Sequence, residues 1–315
     1  MRYTLILGGT GFIGSNLVYE YIKRDKNVII LGTSYTTYNK HFNDIVNQIT
    51  IINGRLCNIS LLNKVFEQYE IEEVIHLVSG LKPSSLLEEF LNEYEEVIIP
   101  TIKLIEIMNK HNVRKLIYLS SGGTVYGNYR ENGCYKEDDL LQPINYYGLS
   151  KCNLEEIIKL EGRKGTIDYL ILRPSNPFGK FQNINGQQGL IAVLLGKVLV
   201  KQEIEIWGDG SVVRDYIPIE YLCQCIIKLS ELKIKNEIYN IGSGIGLSVN
   251  EIIQIVEKSL KIKLKIQYKE ARSVDLNKVI LNIDKLKRTM DVDKFVLDKS
   301  ILKFYDFILE ENDDN

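Results

Sequence analysis

Tyr3-Thr4-Leu5-Ile6-Leu7-Gly8-Gly9-Thr10-Gly11-Phe12-Ile13-Gly14 decides how the chain is read. The apolar run Tyr3–Leu7 has the pattern of a buried strand, a glycine-rich turn follows it, and a helical pattern begins at Ser15. A strand that feeds such a turn and then a helix N-terminus gathers several backbone N–H groups and the positive end of a helix dipole at one place, which suits a pyrophosphate. Gly8 and Gly11 permit the tight turn and the close backbone approach. Gly14 lets the helix pack on the strand, and these are the three roles the dinucleotide fingerprint assigns to its glycines. Glycine turns also follow strands where nothing binds, and the flanking strand and helix are what favour binding here.

The remainder of the chain bounds the answer. Its 315 residues suffice for a large core and two lobes. Hydrophobic content of 45% and charged content of 25% are those of a soluble globular protein. A net charge of -2 makes no electrostatic case for a nucleic acid or an anionic membrane as partner. No apolar run approaches the ~20 residues of a membrane span, so a cytoplasmic protein is expected. Cys57, Cys134, Cys152, Cys223 and Cys225 are odd in number and lack metal-site spacing, so neither a disulfide framework nor a metal site is expected. Cys223 and Cys225 face different ways on a helix and read as packing.

Strand and helix patterns alternate through the first half. Val28–Leu31, 50–53, 74–78, Lys115–Leu119 and 167–172 read as strands, and His76 within its strand reads as a core residue. Helical patterns cover 60–69, 86–111 and a segment ending near Arg163, and Pro100 should kink or break the second. The alternation predicts an α/β fold with a doubly wound parallel sheet over residues 1–175. Residues 176–315 form a smaller α/β lobe that closes on the carboxyl edge of the sheet, with the chain free to cross between lobes. Short strands are expected there at 203–207, 238–241 and 263–267, and helices at 190–200, 219–229 and 249–260. The acidic end, 310–315, is expected to fray.

Tyr147 and Lys151 stand four apart at the start of a helix, so they share a face. A phenol with pKa near 10 is a poor base at neutral pH, and an adjacent ammonium lowers that value by stabilising the phenolate. Such a pair can take a proton from an alcohol while hydride leaves for a nicotinamide.

With the glycine turn, this pair and Ser120-Ser121-Gly122-Gly123-Thr124-Val125-Tyr126-Gly127, the chain resembles the extended short-chain dehydrogenase/reductases, in their nucleotide-sugar epimerase/dehydratase branch. Arg173-Pro174-Ser175-Asn176-Pro177-Phe178-Gly179, the Trp207–Ile217 stretch and Tyr239–Gly244 are similar to the substrate lobe of that branch, most closely the UDP-glucose 4-epimerase type. The resemblance implies a Rossmann-type sheet, an NAD cofactor, a UDP-, dTDP- or GDP-linked sugar as substrate, and a homodimer paired through the Tyr147 helix and the long helix before it. It also implies a part in making sugars for cell-surface polysaccharide.

By position, the resemblance makes Tyr147 the base and Lys151 its tuner and ribose ligand, with Ser121 or Thr124 as supporting hydroxyl. The cofactor would meet Gly8, Gly11, Phe12, Ile13, Gly14, Thr33, Arg55, Leu56, Val78, Lys82, Ser120, Tyr147, Lys151 and Pro174. The substrate would meet Asn176, Gly189, Leu190, Trp207, Arg214, Arg272 and Asp275. Guanidinium groups suit the diphosphate because they pair two hydrogen bonds with its oxygens.

Three departures from the pattern matter. Gly122 stands where the branch carries its catalytic Ser or Thr, and Gly123-Thr124 stand where dehydratases carry Asp-Glu, which disfavours elimination. Gly32 stands where an acid usually holds the adenosine ribose, and with Arg55 it would admit NADP, although Lys40 is the nearest downstream cation and family habit favours NAD. Val97-Ile98-Ile99-Pro100 replaces Asn and Gly residues that face the cofactor, so this helix is expected to be repositioned. The expected activity is hydride transfer at C4 of a nucleotide sugar, as a 4-epimerase or as a 4-dehydrogenase/4-ketoreductase; these share a first step and differ in how long the 4-keto sugar is held. The rival is a catalytically idle nucleotide sensor, with Gly122 as its support.

Overall fold

Along β1 (Arg2–Leu7), Leu5 and Leu7 point to one side of a sheet and Ile6 to the other, and all three are fully buried. The same division repeats on every central strand: Ile29, Leu31, Val74, Leu116 and Ile171 join one apolar layer, while Ile30, Ile75, Ile117, Leu170 and Leu172 join the other. A sheet covered on both faces needs strands that are apolar throughout, which is why these segments read as continuous hydrophobic runs. Each such Leu or Ile contributes roughly 1.5–3 kcal/mol on burial. The structure is a computed structural model, and it describes residues 1–33, 41–186, 188–270 and 277–313.

The strands in chain order are β2 (Val28–Gly32), β3 (Ile49–Asn53), β4 (Glu70–His76), β5 (Lys115–Leu119), β6 (Cys134–Tyr135), β7 (Asp168–Pro174), β8 (Asn176–Phe178), β9 (Ile204–Trp207), β10 (Val213–Pro218), β11 (Glu237–Ile241), β12 (Gly246–Ser248), β13 (Ile266–Lys269) and β14 (Lys278–Leu281). Seven of them form a parallel sheet in the order β11-β7-β5-β4-β1-β2-β3. The order reverses between β1 and β4, and in such doubly wound Rossmann-type sheets the crevice at that point takes the ligand. The Phe12–Ile22 and Ile219–Glu231 helices pack on one face of the sheet, and Ile59–Gln68, Ile99–Lys110 and Tyr146–Arg163 on the other. The expected doubly wound fold is therefore the observed one.

Several boundaries move. Residues 238–241, expected among the short strands of the second lobe, pair with β7 and complete the first sheet at its edge, so the chain crosses back after residue 176. The smaller lobe has a core of its own around Ile191, Leu195, Ile204, Tyr216, Ile252 and Phe304. There β10 is central: it pairs with β8, β12 and β14, and β14 pairs in turn with β6. Of the C-terminal residues expected to fray, 310–313 belong to the Leu297–Asp313 helix, and 314 and 315 lie outside the described residues. Ile301, Phe304 and Ile308 anchor the helix in the lobe core.

The long helical region divides at Pro100. The Leu87–Glu93 helix passes through a π-helical turn at Tyr94–Ile98 into the Ile99–Lys110 helix, whose first turn holds the proline. Proline lacks the N–H that an α-helix needs and its ring crowds the carbonyl four residues back; the wider turn relieves both.

Candidate active site

The carboxyl ends of β1, β4, β5 and β7 converge at the crevice. Gly8 closes β1 with φ +80°, and Gly11 caps the Phe12–Ile22 helix. Among the described residues no side chain caps this helix, and its first turn holds no acid, so the N–H groups of Phe12, Ile13 and Gly14 are left without a side-chain cap. That is the donor set an anionic pyrophosphate would satisfy. A Cβ on Gly14 would stand 2.4 Å from the Gly8 carbonyl oxygen, so the turn and the helix fit only with glycine there. Val78, at the end of β4, borders the same turn, 3.4 Å from where a Gly8 Cβ would be.

At the adenosine end, a Cβ on Gly32 would meet the Thr10 hydroxyl at 2.5 Å, so Thr10 fills the place where an acid usually stands. Thr33 and Arg55 are exposed and Leu56 is buried. The Arg55 guanidinium pairs with Glu96 at 3.3 Å, which answers the expectation that it would welcome a 2′-phosphate: a carboxylate already sits there. Lys82 is exposed on the loop after β4. Ser34 to Lys40 lie outside the described residues.

Tyr147 and Lys151 lie on one face of the Tyr146–Arg163 helix, which Asn145 caps by accepting from the Gly148 N–H at 2.8 Å. The Lys151 ammonium donates to the Leu119 carbonyl at 3.0 Å and lies 5.6 Å from the Tyr147 ring centroid. Burial pushes Lys151 down to about 8 against the charges of Glu93 and Glu155. Tyr147 is held above its ordinary value, chiefly by burial; its hydrogen bond with Ser121 acts the other way, and the Glu93 charge adds to the rise. The expectation that Lys151 would depress Tyr147 is therefore not met in this arrangement, where the ammonium is turned to a backbone carbonyl.

The two candidate hydroxyls are placed differently. A Cβ on Gly122 would strike Leu281 at 2.5 Å and come within 3.0 Å of the Arg173 carbonyl, so position 122 faces the interior. Position 123 faces the crevice: a Cβ there would lie 3.9 Å from the Asn176 amide oxygen and 4.0 Å from the Ser121 hydroxyl. Ser121 is thus the hydroxyl beside Tyr147, and Gly122 is not where a catalytic Ser would act. Among the described residues the buried Thr124 hydroxyl has no hydrogen-bond partner.

Ser120, expected to touch the cofactor, donates its hydroxyl to Glu155 at 2.5 Å. Glu155 also receives Arg173 at 2.9 Å and 2.5 Å, and Arg173 reaches the Tyr126 hydroxyl at 2.9 Å. This buried pair ties β5, β7 and the Tyr147 helix together, and spacing gave no sign of it. Pro174 closes β7, and its carbonyl accepts from the Gly122 N–H at 2.8 Å. His76 is a core residue, bonded to Thr101 at 2.8 Å and pushed by burial down to about 3. Cys223 and Cys225 are buried packing residues.

On the other wall, Asn176 donates to the Asp215 carbonyl at 2.8 Å, and β8 pairs with β10 so that Asn176 stands opposite Tyr216. Arg214 precedes the buried Asp215, whose carboxylate accepts from the N–H groups of Ser243 and Gly244 at 2.8 Å and 3.1 Å. Gly189, at φ +83°, caps the Leu190–Leu199 helix, and Trp207 ends β9 half exposed. Ser121, Tyr147, Lys151 and Asn176 are brought to one crevice. Arg272 and Asp275 lie outside the described residues. Among the described residues no helix is long and apolar enough to cross a membrane.

Comparison with known proteins agrees with this architecture. A family model described as the NAD dependent epimerase/dehydratase family matches residues 4–242. A Methanocaldococcus jannaschii protein named as a putative UDP-glucose 4-epimerase is 34% identical over 283 residues, 89% of this chain and 90% of its own. Escherichia coli dTDP-4-dehydro-6-deoxyglucose reductase is 30% identical, over 91% of this chain and 90% of its own. The crystal structure of Thermotoga maritima UDP-glucose 4-epimerase with UDP-glucose superimposes with a TM-score of 0.91 at 26% identity, covering 98% of this chain and 99% of that one.

Proposed function

The chain belongs to the NAD dependent epimerase/dehydratase family, and on that premise we propose that it is a UDP-sugar 4-epimerase with Tyr147 as its acid/base. The observation that carries this reading is the Ser121–Tyr147–Lys151 cluster facing Asn176 across the crevice. NAD, held at the Gly8–Gly14 turn, would supply the hydride acceptor for C4. Tyr147 takes the C4 hydroxyl proton and returns it when the 4-keto sugar is reduced on its other face. Ser121 shares a hydrogen bond with the Tyr147 oxygen and steadies the phenolate. Lys151 supplies the positive charge that offsets it. Asn176 and Arg214 bind the diphosphate, and Arg272 and Asp275 the phosphate and nucleoside end.

Two rivals lose support. Position 123 faces the crevice and carries no side chain, so elimination has no carboxylate where a dehydratase needs one. The sensor reading leaned on Gly122, whose side-chain direction is away from the crevice, while the Ser121 hydroxyl is engaged with Tyr147. Cofactor choice follows the same logic: Glu96 beside Arg55 repels a 2′-phosphate, which favours NAD over NADP.

Incubating the protein with NAD and UDP-glucose should yield UDP-galactose by chromatography. Tyr147→Phe should lower turnover at least a thousandfold while NAD still binds. An active Phe variant would overturn the assigned base, and no product from UDP-, dTDP- or GDP-glucose would overturn the activity. Tyr147 lies above its ordinary value and Lys151 at about 8. The oxidised half-reaction needs phenolate and ammonium together, and because Lys151 titrates below Tyr147 this form is a minor one: kcat/KM rises up to about 8, levels off, and falls above the value of the phenol, both limbs belonging to the pair.

A further inference from the structure

Glu93 ends the Leu87–Glu93 helix and is 3% exposed. One carboxylate oxygen accepts from the Ser79 hydroxyl at 3.1 Å and, more loosely, from the Ser150 hydroxyl at 3.4 Å; the other accepts from the Gly80 N–H at 2.8 Å. Ser79 and Gly80 follow Val78 on the loop leaving β4 at the cofactor side of the crevice, and Ser150 precedes Lys151. One side chain therefore joins that loop to the helix of Tyr147 and Lys151. Gly80 lies flat on the carboxylate, since a Cβ there would stand 2.8 Å from it.

Burying a carboxylate costs several kcal/mol unless donors and an opposite charge compensate. Three donors are present, and the opposite charge is Lys151, which feels Glu93 as the foremost charge favouring its ammonium. The other groups facing Lys151 and Tyr147 are accounted for. Glu155, on the same helix, is committed to Arg173 and Ser120. His76 on β4 is neutral, burial keeps Cys152 up at about 12, and burial also holds Tyr118 on β5 as a phenol. Glu93 is the carboxylate here that no guanidinium shares, among the described residues.

We propose that Glu93 is a positioning residue of the reaction: it pins the Ser79–Gly80 loop to the catalytic helix and supplies the counter-charge that keeps Lys151 an ammonium beside Tyr147. The inference rests on the catalytic reading of Tyr147 and Lys151 above.

Glu93→Gln keeps the size and an acceptor and deletes the charge. Removing a negative charge favours the Tyr147 phenolate and disfavours the Lys151 ammonium, so both limbs of the pH profile for UDP-glucose epimerisation move to lower pH by roughly one unit. Glu93→Asp keeps the charge and leaves the profile near that of the parent. The same question is asked without turnover by trace acylation of the lysines with acetic anhydride across pH, followed by mass spectrometry of the Lys151 peptide. The midpoint, at about 8 in the parent, should fall in the Gln variant and return in the Asp variant. An unmoved midpoint, or activity lost equally at every pH, overturns the counter-charge. Ser79→Ala tests the clamp separately: it should raise the dissociation constant for NAD several-fold with the Lys151 midpoint unchanged, and unaltered NAD binding overturns the clamp. An active Tyr147→Phe variant would remove the catalytic reading alone, since the Lys151 titration is read without substrate.

Discussion

At position 14 a single methyl group decides whether the dinucleotide turn can form. An alanine Cβ would lie 2.4 Å from the Gly8 carbonyl oxygen and 2.6 Å from the Gly9 Cα, both backbone atoms that cannot swing aside. Overpacking of this kind costs about 1–3 kcal/mol and would be relieved by opening the turn. Gly14→Ala should therefore weaken NAD binding about tenfold or more by calorimetry, with a smaller loss of stability; unchanged affinity would mean that the turn does not hold the cofactor. This glycine was legible because its reason is local, a helix start against the strand that precedes it. Gly122 was not. What position 122 faces, Leu281 and the Arg173 carbonyl, lies far along the chain. Thr10 against Gly32 is the same kind of fact: two residues distant in sequence share one space, and the pattern at either says nothing of the other.

Lys115–Leu119 and Val249–Leu260 were read to the residue, whereas the strand read at 74–78 runs Glu70–His76 and the helix read from Ser15 starts at Phe12. The short strands were harder. β8 contains Pro177 and follows Pro174, so it looks like a loop, and only its pairing with β10 makes it a strand. β11 has an ordinary strand pattern, but nothing in periodicity says which sheet it joins. The break before Pro100 was expected, while its form, a π-helical turn, was not. An extra residue in one turn rotates everything before it by roughly 100° relative to an unbroken α-helix, and Glu93 immediately precedes that turn. Pro100→Ala removes the crowding that favours the wide turn. It should leave the melting temperature unchanged or raised, because alanine suits a helix better, and it should lower kcat several-fold by turning Glu93 away from Ser150. Full activity in a folded Ala variant would show that the turn does not set the Glu93 orientation.

For the whole molecule, the helix that carries Tyr147 has two faces with different debts to solvent. Lys151, Leu154 and Ile158 are buried against the sheet, while Leu149 and Leu160 lie exposed on the outside, Leu160 at 44%. On the preceding helical segment Leu87, Leu91 and Ile102 are exposed as well, with Leu91 at 58%. The two segments are held side by side, since Asn153 donates to the Tyr94 hydroxyl at 3.0 Å and the rings of Phe90 and Tyr146 stack at 5.0 Å. Apolar side chains exposed on paired helices are costly to leave in water and suit an interface. A two-fold copy would set the same pair of helices against itself, closing the surface with four helices. The homodimer proposed from family resemblance thus has a specific surface to use. Leu91→Glu combined with Leu160→Glu would bury like charges at its centre, and sedimentation at micromolar concentration should change from dimer to monomer. The monomer should keep NAD binding, because the Gly8–Gly14 turn lies within one chain. It should lose part of its turnover, because the outer support of the Tyr147 helix is gone. A parent protein that sediments as a monomer would refute the interface, and a double variant that still dimerises would move it to another face.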